Sequence, residues 1–105
     1  MWVFAKQGMY SVVQHRTNRE LVLIRARVRK DLEDLRKLQP TLPQVIATPK
    51  ADYPFRIVAY KQDWLCALFE LGRRATYPNF KAAITDKKRH DLLLKVWGLL
   101  RELEK

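Results

Sequence analysis

Apolar and charged side chains alternate from Leu21 onward, with Val22, Ile24, Ala26 and Val28 interleaving with Arg25, Arg27 and Arg29. Successive residues of an extended strand point to opposite faces, so this spacing predicts a strand over Leu21 to Val28 with one buried apolar face and one cationic face. After Val28 the period lengthens to three and four. Leu32, Leu35 and Leu38 then share one side of a helix whose early acids, Asp31, Glu33 and Asp34, and late bases, Arg36 and Lys37, suit the helix dipole. Pro40 and Pro43 stop that helix, because proline lacks the amide donor and disfavours helical geometry in the residue before it.

The flanking segments follow the same two periods. Trp2 to Lys6 and Tyr10 to Arg16 are rich in aromatic and β-branched residues, and with Gly8 between them they predict a hairpin. Gln44 to Thr48 predicts a short strand, and Pro49 to Pro54 a turn. In Phe55 to Tyr60, Phe55, Ile57 and Ala59 share one face and Arg56, Val58 and Tyr60 the other. Asp63 is placed to cap a helix from Trp64 to about Arg74, with Leu65, Leu68 and Phe69 as its stripe and Trp64, Ala67 and Leu71 widening it. Asn79 caps a short turn through Ile84, and Asp86 starts a last helix through about Glu104. On that helix Leu93, Val96, Trp97, Leu100 and Leu103 recur at three and four, which puts Trp97 in a core.

The order is three strands, helix, two strands, helix, helix. It predicts one domain, residues 1–105, of α+β class: an antiparallel sheet of about five strands with helices on one face. The run from Leu21 to Arg74 is ferredoxin-like in part, with the N-terminal strands extending the sheet.

Several short runs spread over the chain, Gly8-Met9-Tyr10-Ser11-Val12-Val13, Arg25-Ala26-Arg27 with Asp31-Leu32, Thr48-Pro49-Lys50-Ala51-Asp52-Tyr53, Tyr77-Pro78-Asn79-Phe80-Lys81 and Val96-Trp97, resemble a family of small bacterial proteins. That resemblance implies no activity, cofactor or catalytic residue. It draws the eye to Asp52, Tyr53, Asn79 and Lys81, polar or amphipathic residues in turns, where function often resides.

Charge sharpens the picture. The 21 Lys and Arg outnumber the 11 Asp and Glu, for a formal +10, a balance that favours polyanionic partners. Neighbouring arginines on the Leu21 to Val28 strand have Cα atoms about 7 Å apart, two strand rises. At that spacing like charges repel by roughly 0.6 kcal/mol in water and about 2.4 at an effective dielectric of 20. Anions are therefore expected beside them, either carboxylates of the chain, with Asp52 the nearest candidate, or phosphates of a partner.

The candidate nucleic-acid-binding residues are Arg25, Arg27, Arg29, Arg56 and Tyr60 on an open sheet face, with Tyr10 as a further ring and the cluster Lys87, Lys88 and Arg89 at the start of the last helix. Cations and rings on one sheet face suit RNA or single-stranded DNA, through phosphate contact and base stacking. The competing class is a protein-interaction or accessory module, including a homodimer, whose basic face is only solvated; its feature is the set of large rings Trp2, Trp64, Trp97, Tyr53, Tyr77 and Phe80, an exposed subset of which would form a partner patch.

Chemistry is thinly represented. His15, His90 and Cys66 lie in separate elements, so no metal site or cofactor is expected. Glycine-rich phosphate loops and nucleophile elbows are missing as well. The residue types of a metal-free ribonuclease, His15, Arg25, Arg27, Arg56 and Tyr60, are present, but nothing in the sequence brings them together, and no catalytic residue is assigned. The lone Cys66 needs no oxidising compartment, and no apolar run reaches membrane-spanning length. A soluble cytoplasmic protein is the expectation.

Overall fold

The alternation at Leu21 is realised in the middle strand of a five-stranded antiparallel sheet. A computed structural model describes all residues from Met1 to Lys105. The chain comprises two compact units, Met1–Ala75 and Thr76–Lys105. The first contains β1 (Trp2–Ala5), β2 (Gly8–Gln14), β3 (Leu21–Ala26), α1 (Arg29–Leu38), β4 (Ile46–Ala47), β5 (Phe55–Tyr60) and α2 (Lys61–Arg73). The strand order is β1-β2-β3-β5-β4. Because β5 lies between β3 and β4 and is antiparallel to both, β3, α1 and β4 form the split β-α-β unit of ferredoxin-like sheets. The hairpin β1–β2 occupies the other flank of β3.

One face of the sheet is buried, as the period-two pattern requires. Tyr10, Val12, Val22, Ile24, Ala26, Ile57 and Ala59 form one core with Leu32 and Leu35 of α1 and Trp64, Ala67 and Leu71 of α2, so both helices cover the same face. Ile24 and Ile57 are register partners, and both are fully buried. Each such side chain contributes about 1.5 to 3 kcal/mol by leaving water.

Gly8 is a strand residue rather than the turn; the turn is Lys6-Gln7, and Ala5 pairs with Gly8. Its glycine is required for space. A Cβ there would lie 2.7 Å from the Asp31 side chain and 2.8 Å from the Tyr10 hydroxyl. This close approach lets buried Asp31 accept a hydrogen bond from the Met9 amide at 3.1 Å, while the Tyr10 hydroxyl donates to the Asp31 carbonyl at 2.8 Å. The first turn of α1 is thereby fastened to β2. Tyr10 consequently belongs to the core and not to the open face.

Several boundaries differ from the expectation: β1 ends at Ala5, β2 runs Gly8–Gln14 and β4 is only Ile46–Ala47. Strand β3 stops at Ala26, and Val28, exposed and extended, precedes α1, so Arg29 becomes the first residue of a helix. Helix α2 begins at Lys61, and Asp63 lies within its first turn, where it accepts a hydrogen bond from the Thr41 hydroxyl at 2.9 Å, instead of capping. Its buried stripe is Trp64, Ala67 and Leu71, whereas Leu65 and Phe69 are exposed. Leu68 packs at the margin of this stripe.

The second unit contains α3 (Phe80–Ala83) and α4 (Lys87–Leu100), which runs into a 3-10 turn at Arg101–Glu104. Asn79 and Asp86 cap the two helices as the sequence predicts, their side chains accepting from the Ala82 and Arg89 amides. Leu93 is the buried residue of α4. Trp97 is 52% exposed and lies against Lys81 and Arg101 as a cation–π partner, so it is a surface ring and not core. No helix of the chain is long and apolar enough to cross a membrane.

The Gly8–Asp31 approach makes a quantitative prediction. Gly8→Ala should destabilise the fold by about 1 to 3 kcal/mol, the usual cost of overpacking, read as a lowered urea midpoint. An unchanged midpoint would mean that β2 and α1 separate without penalty.

Candidate functional site

The uncovered face of the sheet presents a cross-strand row in register: Trp2, Ser11, Arg25, Arg56 and Ile46. Arg25 and Arg56 therefore stand directly opposite each other, an arrangement that destabilises a sheet unless something offsets it. The offset comes from the loop joining β4 to β5. Thr48 closes that loop, its amide donating to the Pro54 carbonyl at 2.7 Å and its hydroxyl to the Tyr53 carbonyl at 2.8 Å, while the hydroxyl oxygen accepts from Arg56 Nε at 3.2 Å. Asp52 lies 3.9 Å from Arg25, and its carbonyl accepts from Arg27 at 2.8 Å.

Tyr53 is the centre of the arrangement. The guanidinium carbons of Arg25 and Arg27 lie 4.7 and 4.5 Å from its ring centroid, inside the range of a favourable cation–π contact. Arg25 also donates to the Ser11 hydroxyl at 2.7 Å, and its side chain is only 17% exposed. It is therefore a structural cation, whereas Arg27 is exposed. The 70% exposure of the Asp52 side chain and the 3.9 Å separation make that ion pair a weak one.

Beside this cluster, Trp2 and Phe4 project from β1. Their rings are nearly parallel, 17° apart with centroids at 6.4 Å, and Trp2 is 74% exposed. Together with Met9, Tyr10, Ser11, Arg27 and Tyr53 they line a shallow pocket of about 200 Å³. The sequence offers Trp2 and Tyr53 only as rings of a protein-partner patch, because pairing Trp2 with Ser11 and bringing Tyr53 alongside depends on the register and on the loop.

Carboxylates are distributed away from this face. None of the five strands contains an Asp or Glu. On α1, Glu33 pairs with Arg36 and Asp34 with Lys30 and Lys37. At the end of α2, Glu70 is clasped by Arg73 and Arg74, whose hydrogen bonds hold its carboxyl below the usual range. That clasp is intact at neutral pH and is lost as the pH falls through the lowered pKa.

The expected site residues separate as follows. Arg25 and Arg27 converge on the Tyr53 ring, and Arg56, opposite Arg25, is held by the Thr48 hydroxyl of the same loop. Arg29 leaves the group: it packs 5.3 Å over Phe55, whose register partner Ala26 belongs to the buried face. The cause is the end of β3 at Ala26, which breaks the alternation. Tyr60 is on the open face and 60% exposed, but four residues from Arg56, about 13 Å along the strand. Lys87, Lys88 and Arg89 open α4 in the second unit, where Lys87 pairs with Asp91 at 2.8 Å. His15 accepts the Thr17 and Asn18 amides at its Nδ1 beyond the far end of β2, so the ribonuclease residue types do not assemble with Arg25 and Arg56. No group of three or more His, Cys, Asp or Glu side chains is arranged to hold a metal ion.

No family model, no curated protein and no solved structure matches the chain.

Tyr53→Leu retains apolar bulk but removes the ring beneath two guanidiniums. With each exposed contact worth about 0.5 to 1 kcal/mol, the variant should lose about 1 to 2 kcal/mol in urea unfolding. Wild-type stability would show that the two arginines are held without the ring.

Proposed function

We propose that the protein binds single-stranded nucleic acid, RNA or DNA, through the open face of its sheet around Arg27, Arg56, Tyr53, Trp2 and Phe4. One observation carries this reading: three guanidiniums converge on a face where Asp52 supplies the only nearby carboxylate, beside exposed and parallel rings. Excess positive charge on that face favours phosphates, and the rings favour unpaired bases. Arg27 is the principal phosphate contact because its guanidinium is exposed, and its orientation is fixed by the Asp52 carbonyl and the Tyr53 ring. Arg25 acts from beneath by holding Tyr53 and Ser11 in place.

A second reading has its own observation. Away from the arginines, Val13, Leu23 and Val58 are register neighbours on the same face, with Leu21 and exposed Tyr60 beyond them. This apolar half suits a protein partner or a second copy of the chain, with the basic half as a solvated border. Salt separates the two readings, since phosphate contacts weaken steeply with it and apolar burial does not.

Fluorescence anisotropy with single-stranded and duplex oligonucleotides over a salt series tests the proposal. Wild type should bind single strands at low salt, and Arg27→Ala should reduce the log-log salt slope by about 0.7, one phosphate contact on a single strand. Equal binding and slope in both proteins, or no binding at low salt, would remove this face from consideration and favour the protein-partner reading.

A further inference from the structure

We infer that the pocket between β1 and the Thr48–Pro54 loop is a seat for one unpaired nucleobase, with the adjoining phosphate on Arg27; the inference rests on the nucleic-acid reading above. The pocket's shape and its chemistry both support this. It is open, about 200 Å³ in volume, and walled by rings. Trp2 and Phe4 already stand in a near-parallel pair. A flat base can join that pair by offset stacking, the geometry aromatic faces prefer. Exposed Trp2 has no covering residue to displace first, so a base arriving there buries a ring that water now covers.

Arg27 and Ser11 supply hydrogen-bond donors at the pocket. Arg27 has five N–H donors, and the Asp52 carbonyl occupies Nη1. The buried Ser11 hydroxyl accepts from Arg25 at 2.7 Å, which leaves its own proton to donate. No carboxylate lines the pocket. The complementary ligand is therefore flat, carries acceptor atoms on its edge and is joined to an anion, a description that a nucleotide unit of a single strand meets. A base inside a duplex does not meet it, because its faces are already stacked and its edge already paired.

The side chains divide the work. Trp2 and Phe4 supply stacking, which tolerates any base because every base has a π face. Arg27 anchors the backbone, and Tyr53 holds Arg27 at the rim. Binding through this seat is therefore sequence-tolerant and specific for single strands.

Two short DNA strands of equal length test the seat with the intact protein: one entirely abasic, the other abasic except for a single 2-aminopurine. Both carry the same phosphates, so their difference in affinity reports the base alone. Wild type should bind the strand with the base about 5- to 150-fold more tightly, the range of one aromatic stacking contact removed by alanine, and the 2-aminopurine fluorescence should be quenched. Trp2→Ala, at an exposed position whose loss leaves the core intact, should erase the difference without changing the salt slope, and Trp2→Phe should restore most of it. Equal wild-type affinity for the two strands would overturn the seat while leaving phosphate binding standing. An advantage that persists in Trp2→Ala would place the base elsewhere on the protein and overturn the seat too. Failure of wild type to bind either strand at low salt would overturn the nucleic-acid reading and the seat with it.

Discussion

The open face depends on one contact set, the Tyr53 ring against Arg25 and Arg27. Without it, a sheet with Arg25 opposite Arg56 has like charges facing each other and little acid to neutralise them. The Thr48–Pro54 loop resolves this by placing a ring, one carboxylate and two oxygen acceptors against the cations. Most of this compensation is neutral. Cation–π contacts and carbonyl acceptors hold the guanidiniums in place without cancelling their charge, so the face remains able to attract an anion.

The fold separates two electrostatic surfaces. On the helical side, acids and bases alternate at three and four residues and pair locally, as Glu33 with Arg36 and Asp34 with Lys30 and Lys37. On the open side the strands contribute cations, rings and aliphatic groups and no acid at all. Of the formal +10, the share carried by Arg25, Arg27 and Arg56 on the open face is offset there by Asp52 of the loop and by no strand acid. Asp31, which has the strongest structural demand, is used inside, where it accepts the Met9 amide and requires glycine at position 8.

Much of this architecture was legible in the alternation of residues. Leu21 to Ala26 and Phe55 to Tyr60 became adjacent strands with the expected faces, and Asn79 and Asp86 became caps. The end of β3 was hidden because Val28 continues the period-two pattern beyond the point where the chain turns into α1. The stripe of α2 was misplaced because Leu65 and Phe69 are as hydrophobic as Trp64 and Leu71, so hydrophobic spacing does not say which of two overlapping stripes meets the sheet. Trp97 shared a stripe with Leu93 but faces solvent and cations, since periodicity identifies a face and not what covers it. Of the candidate site, the Arg25, Arg27 and Arg56 group and the involvement of Asp52 were readable. Trp2 and Tyr53 were readable only as rings of a partner patch; the pairing of Trp2 with Phe4 beside the arginines was not, because it arises from strand register and loop position rather than from any local motif.

The central claim is that the open face of the sheet, and not the helical side, meets single-stranded nucleic acid. Backbone amide chemical-shift mapping of isotope-labelled protein titrated with a single-stranded oligonucleotide tests it directly. The account predicts that, within the first unit, the largest shifts occur at Trp2 to Phe4, Met9 to Ser11, Arg25 to Arg27 and Asp52 to Arg56, with α1 and α2 little changed. Shifts concentrated on the outer surfaces of α1 and α2, or none at low salt, would contradict it.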